Sequence, residues 1–321
     1  MEYVNPLVSV VIPTYNRPPL VVRAVQSALE QTLDAIEVIV IIDGPDEATL
    51  KFLLQIDDSR LRVKMLPSRL GTGEARNAGV KDTRSRWVAF LDDDDEWFPK
   101  KLEMQLQIAQ QSRHLYPIIS CRLIARNESG DLIWPRRFPR SNEILSEYLF
   151  CRNSLFVGEG IVQTSTILTM KELLQKVPYR GDLQTHEDWD WLLRASTIEG
   201  VGLEFVPGPE PLTIWNIEEN RRRISHTTDW RYSLSWVQAN RHLITPRAYT
   251  SFIMTSVSWT AKRRREWKAF WLLPWEAYQN GKPSIIDVLV HFGIWMIPQK
   301  LRQRIAILYD KIHHSRILKH S

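Results

Sequence analysis

Four short apolar runs recur in the first 91 residues, each ending on polar residues, and that alternation constrains the fold more than any other feature. Val8-Ser9-Val10-Val11-Ile12-Pro13 runs into Thr14-Tyr15-Asn16-Arg17, after which Pro18 and Pro19 suit the start of a helix through Val21, Ala24, Val25 and Ala28. Glu37 to Ile42 is a second apolar strand, stopped by Asp43-Gly44-Pro45. A helix over about Glu47 to Ile56, a strand over Leu61 to Leu66 and a helix opened by Gly71-Thr72-Gly73 follow, and Trp87 to Leu91 is the fourth strand. Strands and helices alternating at this spacing predict an α/β fold, with a mostly parallel, Rossmann-like sheet covered by helices on both faces. Ligands of such sheets sit beyond the carboxyl ends of the strands.

The fourth strand feeds directly into Asp92-Asp93-Asp94-Asp95-Glu96. Five adjacent carboxylates repel one another unless solvent or a cation compensates them. Taken alone, the run reads equally as a solvated loop, a cluster capping the helix that starts near Pro99, or a site for a divalent metal. Its company decides the matter. The acid run after the fourth strand, Asp43 after the second and Thr14 to Arg17 after the first converge on one rim, and that convergence makes a site.

Other classes drop out. Gly71 and Gly73 do not make a dinucleotide loop, which belongs directly after the first strand, where Pro13-Thr14-Tyr15-Asn16 stands. A Gly-Lys-Ser/Thr phosphate loop is missing. Cys121 and Cys151 have no metal-ligand spacing and read as buried thiols of a reducing, cytosolic compartment. The net charge of +5 is unevenly placed: Lys262 to Ser321 carries 12 basic and 4 acidic residues, so the rest is slightly acidic. A basic tail rather than a basic folded face argues against nucleic acid and for an anionic surface.

Downstream, Lys100 to Gln111 reads as a helix and Pro117 to Ala125 as one strand. Phe156 to Leu168 carries Gly158 and Gly160 and reads as a flexible, substrate-facing loop. In His186-Glu187-Asp188-Trp189-Asp190-Trp191, Thr185 and Asp188 match a capping box, while Asp188 beside two tryptophans is also a general-base candidate. Gly202 to Val206 is read as the last strand. Arg221-Arg222-Arg223 and His226 follow in a loop, where arginines suit phosphate and His226 a metal or diphosphate.

From about Ser233 the chain turns helical, mixing Lys262-Arg263-Arg264-Arg265 with Trp267, Trp271 and Trp275. Ile285 to Ile297 is apolar but too short to span a bilayer. The tail suits either a helix lying in a membrane interface or packing against the catalytic domain or a second subunit. The domain expectation is 1–232 as catalytic domain, with a nucleotide-sugar half over about 1–112 and an acceptor half over about 113–232, and 233–321 as a basic helical extension.

With these residues in view, the chain resembles a family 2 glycosyltransferase of the GT-A fold. The resemblance rests on Val8 to Arg17, Ile42-Asp43-Gly44, Ala75-Arg76-Asn77-Ala78-Gly79, Phe90 to Asp95 and Glu187-Asp188-Trp189 in that order. It implies inverting transfer of a sugar from a nucleotide diphosphate donor, UDP- or dTDP-linked, to a hydroxyl of a saccharide or lipid-linked acceptor in polysaccharide or glycolipid biosynthesis. It further implies Mg2+ or Mn2+ on Asp94 and Asp92, with His226 as a further ligand. Pro13, Thr14, Tyr15, Asn16, Arg17, Asp43, Arg76, Asp92 and Asp93 would bind the donor. Asp188 would be the catalytic base, and Glu187 and Trp189 would lie on the acceptor side. A cytoplasmic enzyme held peripherally at the inner membrane face through 262–321 is the expected setting. The alternatives are a non-catalytic membrane-surface binding protein on the same fold and a sugar-nucleotide nucleotidyltransferase; Pro13-Thr14-Tyr15-Asn16 argues against the latter.

Overall fold

The computed structural model describes residues 5–127, 130–217 and 229–317. His226 and Arg221 to Arg223 lie outside the described residues. Two compact units emerge, the first made of residues up to 125 with 162–183 and 190–217, the second of 126–161, 184–189 and the chain from 218 onward.

The strands, in chain order, are β1 (Val8–Thr14), β2 (Ile36–Ile42), β3 (Leu61–Met65), β4 (Trp87–Phe90), β5 (Glu96–Trp97), β6 (Tyr116–Ser120), β7 (Leu123–Asn127), β8 (Gly130–Trp134), β9 (Leu168–Met170), β10 (Val201–Phe205) and β11 (Thr213–Asn216). In the first unit seven of them form one sheet in the order β10-β6-β9-β4-β1-β2-β3. All its pairings are parallel except those of β9, which runs antiparallel to β4 and β6. The helices from the sequence pattern are α1 (Pro18–Leu29), α2 (Glu47–Leu53), α3 (Thr72–Asp82) and α4 (Lys101–Gln111), followed by α5 (Leu145–Phe150), α6 (Lys171–Lys176) and α7 (Glu187–Ala195). β1 and β2 are buried along their whole length, which explains why they read as unbroken apolar runs. α3 lies close on them: a methyl group at Gly79 would collide with Val11, so only glycine allows this approach.

Register places the polar strand ends level. Val8 of β1 faces Ile36 of β2 and Trp87 of β4, and the backbone N–H of Asp43 donates to the Thr14 carbonyl (2.9 Å), while that of Leu91 donates to Val11 (3.1 Å).

Three expectations are corrected. The strand read over Pro117 to Ala125 breaks at Cys121-Arg122. Ser120 accepts from Val206 at the end of β10, whereas Arg122 accepts from Leu212 just before β11, so the chain changes partners there. Gly202 to Val206 is therefore not the last strand; β11 follows the prolines and pairs antiparallel with β5. Gly158 and Gly160 serve close packing instead of flexibility, since side chains there would overlap the Trp134 ring and the Tyr148 carbonyl.

In the second unit, helices Trp230–Ala239, Pro246–Phe252, Ser258–Arg263, Lys268–Asn280, Ile285–Met296 and Gln299–Ile317 follow one another, with a π-helical turn at Ile253–Val257. Its centre holds a polar chain. Trp295 Nε1–H donates to Ser258 Oγ (2.8 Å), Ser258 Oγ lies 2.9 Å from His291 Nδ1, and His291 Nε2 lies 3.0 Å from the Phe270 carbonyl. A carbonyl partner requires the proton on Nε2, leaving Nδ1 to accept from the serine. Burial pushes the His291 imidazole down to about 4, so it is neutral in the fold.

The unfolded chain takes up a proton at His291 below about pH 6.5 while the folded chain refuses it until about pH 4, so stability is full above that window and falls as pH drops through it. Between pH 7.5 and 4 the urea stability of the wild type should fall relative to that of His291→Gln, by up to about 1.4 kcal/mol per pH unit. An unchanged slope in the variant would contradict the buried neutral histidine.

Candidate active site

The aspartates after β4 form a turn, closed by the Asp95 N–H donating to the Asp92 carbonyl (3.1 Å), and they differ in burial and in partners. Asp95 is fully buried: its carboxylate accepts from Gln163 Nε2 (2.8 Å), Ser165 Oγ (2.7 Å) and the Asn216 backbone N–H (3.2 Å). Burial, with Asp94 and Asp92 adding repulsion, pushes its carboxyl well above the usual range. Asp93 also turns inward, accepting from Thr14 Oγ1 (2.8 Å) and from Arg17 (2.8 Å). Burial raises it to about 6 despite the opposing pull of Arg17. Asp92 keeps part of its carboxylate toward solvent, with its side chain 27% exposed, whereas Asp94 is nearly as buried as Asp93, at 13% against 8%.

Three arginines offset part of this charge. Arg17 reaches Asp93 and, at 3.4 Å, Asp94; Arg76, itself buried, donates to Asp92 (2.8 Å); Arg23 donates to the Asp94 carbonyl (2.9 Å) and pairs with Glu96 (3.2 Å). Among the described residues these guanidinium groups meet Asp92, Asp93, Asp94 and Glu96, and Asp92 is the most accessible of the four aspartates.

The neighbouring strand end belongs to the same unit. Asp43 accepts from the backbone N–H groups of Leu70 (2.7 Å) and Gly71 (3.0 Å), which ties the β3–α3 loop to the end of β2. The Arg69 guanidinium lies 4.5 Å from the Tyr15 ring centroid. Asn16, at φ 54°, donates its N–H to Asp46 (2.7 Å), and Pro13 sits opposite Ile41 inside the β1–β2 ladder. Thr14, Arg17, Arg76, Asp92, Asp93 and Asp94 thus share one bonded network, with Tyr15, Asn16 and Asp43 beside it at the adjoining strand end.

Asp188 and Glu187 stand in the first turn of α7, in the second unit. The helix begins at Glu187, one residue later than the Thr185–Asp188 capping box requires, and His186 at φ 70° occupies the junction. His186 stacks on Trp189 (5.0 Å) and Trp236 lies 4.9 Å away; its Nε2 is 2.8 Å from Ser233 Oγ, and burial lowers it to about 3. Trp189 also packs edge-on against Phe150 and Phe252. Further along α7, Asp190 is held by Arg194 (2.7 Å) and Arg180 (3.5 Å).

Gln163, Ser165 and Asn216 escaped the sequence reading. Gln163 donates to both Asp95 and Asp92 (3.2 Å) while its carbonyl accepts from Ser165 N–H (2.7 Å). These residues come from segments about 70 and 120 positions away, and no local pattern marks them.

Among the described residues, no group of three or more His, Cys, Asp or Glu side chains holds a metal by itself. Two carboxylates at the strand end, Asp92 and Asp94, still fit a hard cation, since Mg2+ is ordinarily bound by one or two carboxylates plus substrate phosphates.

The model of glycosyl transferase family 2 matches residues 9–177. The chain belongs to glycosyltransferase family 2. It is a glycosyltransferase. The amylovoran biosynthesis glycosyltransferase AmsB of Erwinia amylovora is 28% identical over 253 residues, covering 75% of this chain and 80% of the relative. The glucosyltransferase WfgD of Escherichia coli, named as acting from UDP-Glc on α-D-GlcNAc-diphosphoundecaprenol, is 35% identical over 219 residues, covering 67% of this chain and 81% of the relative. Among solved structures, the mannosyltransferase PcManGT of Pyrobaculum calidifontis, in complex with GDP-Man and Mn2+, superposes with a TM-score of 0.56 at 17% identity, over 94% of this chain and 84% of that one. S. aureus TarS in complex with UDP-GlcNAc gives 0.52 at 15% identity, over 89% and 79%. At these identities the likeness shows the fold, a GT-A-type mixed and mostly parallel sheet.

Asp95 and Asp94 differ in what their loss does to stability. Asp95→Leu takes the acceptor from the Ser165 hydroxyl and the Asn216 backbone N–H, and one of its acceptors from the Gln163 amide, and should lower urea stability by about 3 kcal/mol. Asp94→Asn, which keeps the size of the side chain and an accepting oxygen, should cost under about 1 kcal/mol. Equal losses would refute that difference.

Proposed function

We propose that the chain transfers a sugar, with inversion, from a uridine or thymidine diphosphate donor to a hydroxyl of a saccharide or lipid-linked acceptor in polysaccharide or glycolipid biosynthesis. The observation that carries this reading is the gathering of Asp92 and Asp94 at the carboxyl edge of the sheet, level with Thr14 to Arg17 and Asp43. The similarity to AmsB and WfgD supports the biosynthetic setting and a lipid-linked acceptor.

In this reading Asp-x-Asp is Asp92-Asp93-Asp94. Asp94 would ligate Mg2+ or Mn2+, and Asp92, oriented by Arg76 and Gln163, would stand between ribose and metal. Asp93 positions Thr14 and Arg17 under the donor. Asp43 already accepts two N–H groups, and each of its oxygens keeps a lone pair for the N3–H of uracil or thymine. Tyr15 and Arg69 would flank the base. When bound, the cation supplies Lewis-acid stabilisation to the departing diphosphate. Asp188 would accept the proton of the attacking hydroxyl, and Trp189 with Glu187 would receive the acceptor.

A donor screen with Mn2+, reading release of nucleoside diphosphate, should find one uridine or thymidine donor that turns over. Asp188→Asn should cut turnover by about 100-fold or more while donor binding by calorimetry stays intact. Asp94→Asn should lose both turnover and its dependence on metal. Full turnover by Asp188→Asn would remove that residue as base.

A further inference from the structure

Helix Ile285–Met296 is inside out. It buries Asp287 and His291 beside Ile294 and Trp295 and turns Ile285, Leu289, Phe292 and Met296 to solvent, so that polar groups take inner positions while large apolar ones face out. Asp287 is bound inside by Arg247 (3.1 Å), Ser251 and Ser284, and His291 by the Ser258–Phe270 chain. Those polar contacts fix the orientation, so the apolar side cannot simply roll inward.

The adjoining helix Lys268–Asn280 presents a second apolar side. It buries Ala269, Phe270, Leu273 and Ala277, and yet Trp271, Trp275 and Tyr278, at helical spacing, are 75%, 66% and 72% exposed. The two sides are continuous, because the Phe270 ring lies 4.8 Å from Trp271 and 5.4 Å from Phe292. Fourteen of the 22 large hydrophobic side chains exposed among the described residues fall between Trp267 and Leu308. So large a patch marks a contact surface.

Charge identifies the occupant. Between Lys262 and Tyr309 the three acids are all engaged inside the unit: Glu266 by Trp230 and Arg231, Glu276 by Tyr249, and Asp287 as above. The exposed charges there are all basic, namely Arg263 to Arg265, Lys268, Lys282, Lys300 and Arg304. A second copy would set two such basic faces against each other, which repels. An anionic bilayer complements both the charge and the tryptophans, which favour the headgroup boundary. A 12-residue helix, about 18 Å long, lies in that boundary and does not cross it.

We propose that the helices Lys268–Asn280 and Ile285–Met296 form a docking face that seats Trp271, Trp275, Tyr278 and Phe292 in the interface of an anionic membrane. The face deepens the proposed function by bringing the enzyme to a membrane-borne acceptor, and it is tested without donor or acceptor, so its failure and the failure of that reading are separable.

The test is sedimentation of the whole chain with vesicles of phosphatidylcholine alone and with about one-third phosphatidylglycerol. Wild type should partition at least tenfold more strongly onto the anionic vesicles and less so in 0.5 M NaCl. Trp271→Ser/Trp275→Ser/Tyr278→Ser, which touches only exposed positions, should lose at least tenfold in partitioning with its circular dichroism and thermal midpoint unchanged. Arg263→Gln/Arg264→Gln/Arg265→Gln should lose the preference for anionic lipid. Indifference to the vesicles, equal partitioning of the aromatic variant, or a dimer in ultracentrifugation that the aromatic variant dissolves would each overturn the proposal.

Discussion

Repulsion among successive carboxylates at the end of a buried strand is the constraint to which the first unit is built. Past the end of β4 the four aspartates form a turn, closed by the Asp95 N–H donating to the Asp92 carbonyl (3.1 Å), so that Asp92 and Asp95 share Gln163 while Asp93 and Asp94 share Arg17. Two of them go inward. Asp95 is received by Gln163, Ser165 and Asn216, and Asp93 by Thr14 and Arg17. These contacts cross from β4 to the end of β1, to the segment before β9 and to β11, so the acid run also knits the carboxyl edge of the sheet together. Asp92, the most exposed of the four, pairs with Arg76, and Asp94 lies 3.4 Å from Arg17. The same turn therefore ties the edge of the fold together and gathers its carboxylates in one place.

The sheet was legible in the sequence because its central strands are buried on both faces and cannot contain polar residues except at their ends. Val8 to Thr14 and Ile36 to Ile42 lie within a residue or two of the apolar runs that announced them. β9 and β11 were not legible: each is only three or four residues long, and β11 follows three prolines. The residues at the rim were legible as types, since Thr14, Arg17, Asp43 and the acid run each end a strand. Their division of labour was not, because it is set by Gln163 and Asn216, whose positions depend on tertiary structure alone.

The tail shows the opposite case. Its basic, tryptophan-rich composition left packing and membrane contact equally open. Side-chain direction separates them, because Asp287 and His291 occupy the interior that Ile285 and Phe292 would otherwise claim. Burying a carboxylate and an imidazole in place of isoleucine and phenylalanine sacrifices hydrophobic burial, and contact with a lipid interface on the outer side would recover it.

The central claim, that Asp92 and Asp94 form half of a cation site whose other half is the donor diphosphate, is tested most directly by a Mn2+ titration followed by electron paramagnetic resonance, with and without UDP. The two carboxylates alone should hold Mn2+ weakly, and UDP should tighten binding by about tenfold or more, an effect that Asp94→Asn abolishes. Mn2+ affinity that is the same with and without UDP, or that survives Asp94→Asn unchanged, would contradict it.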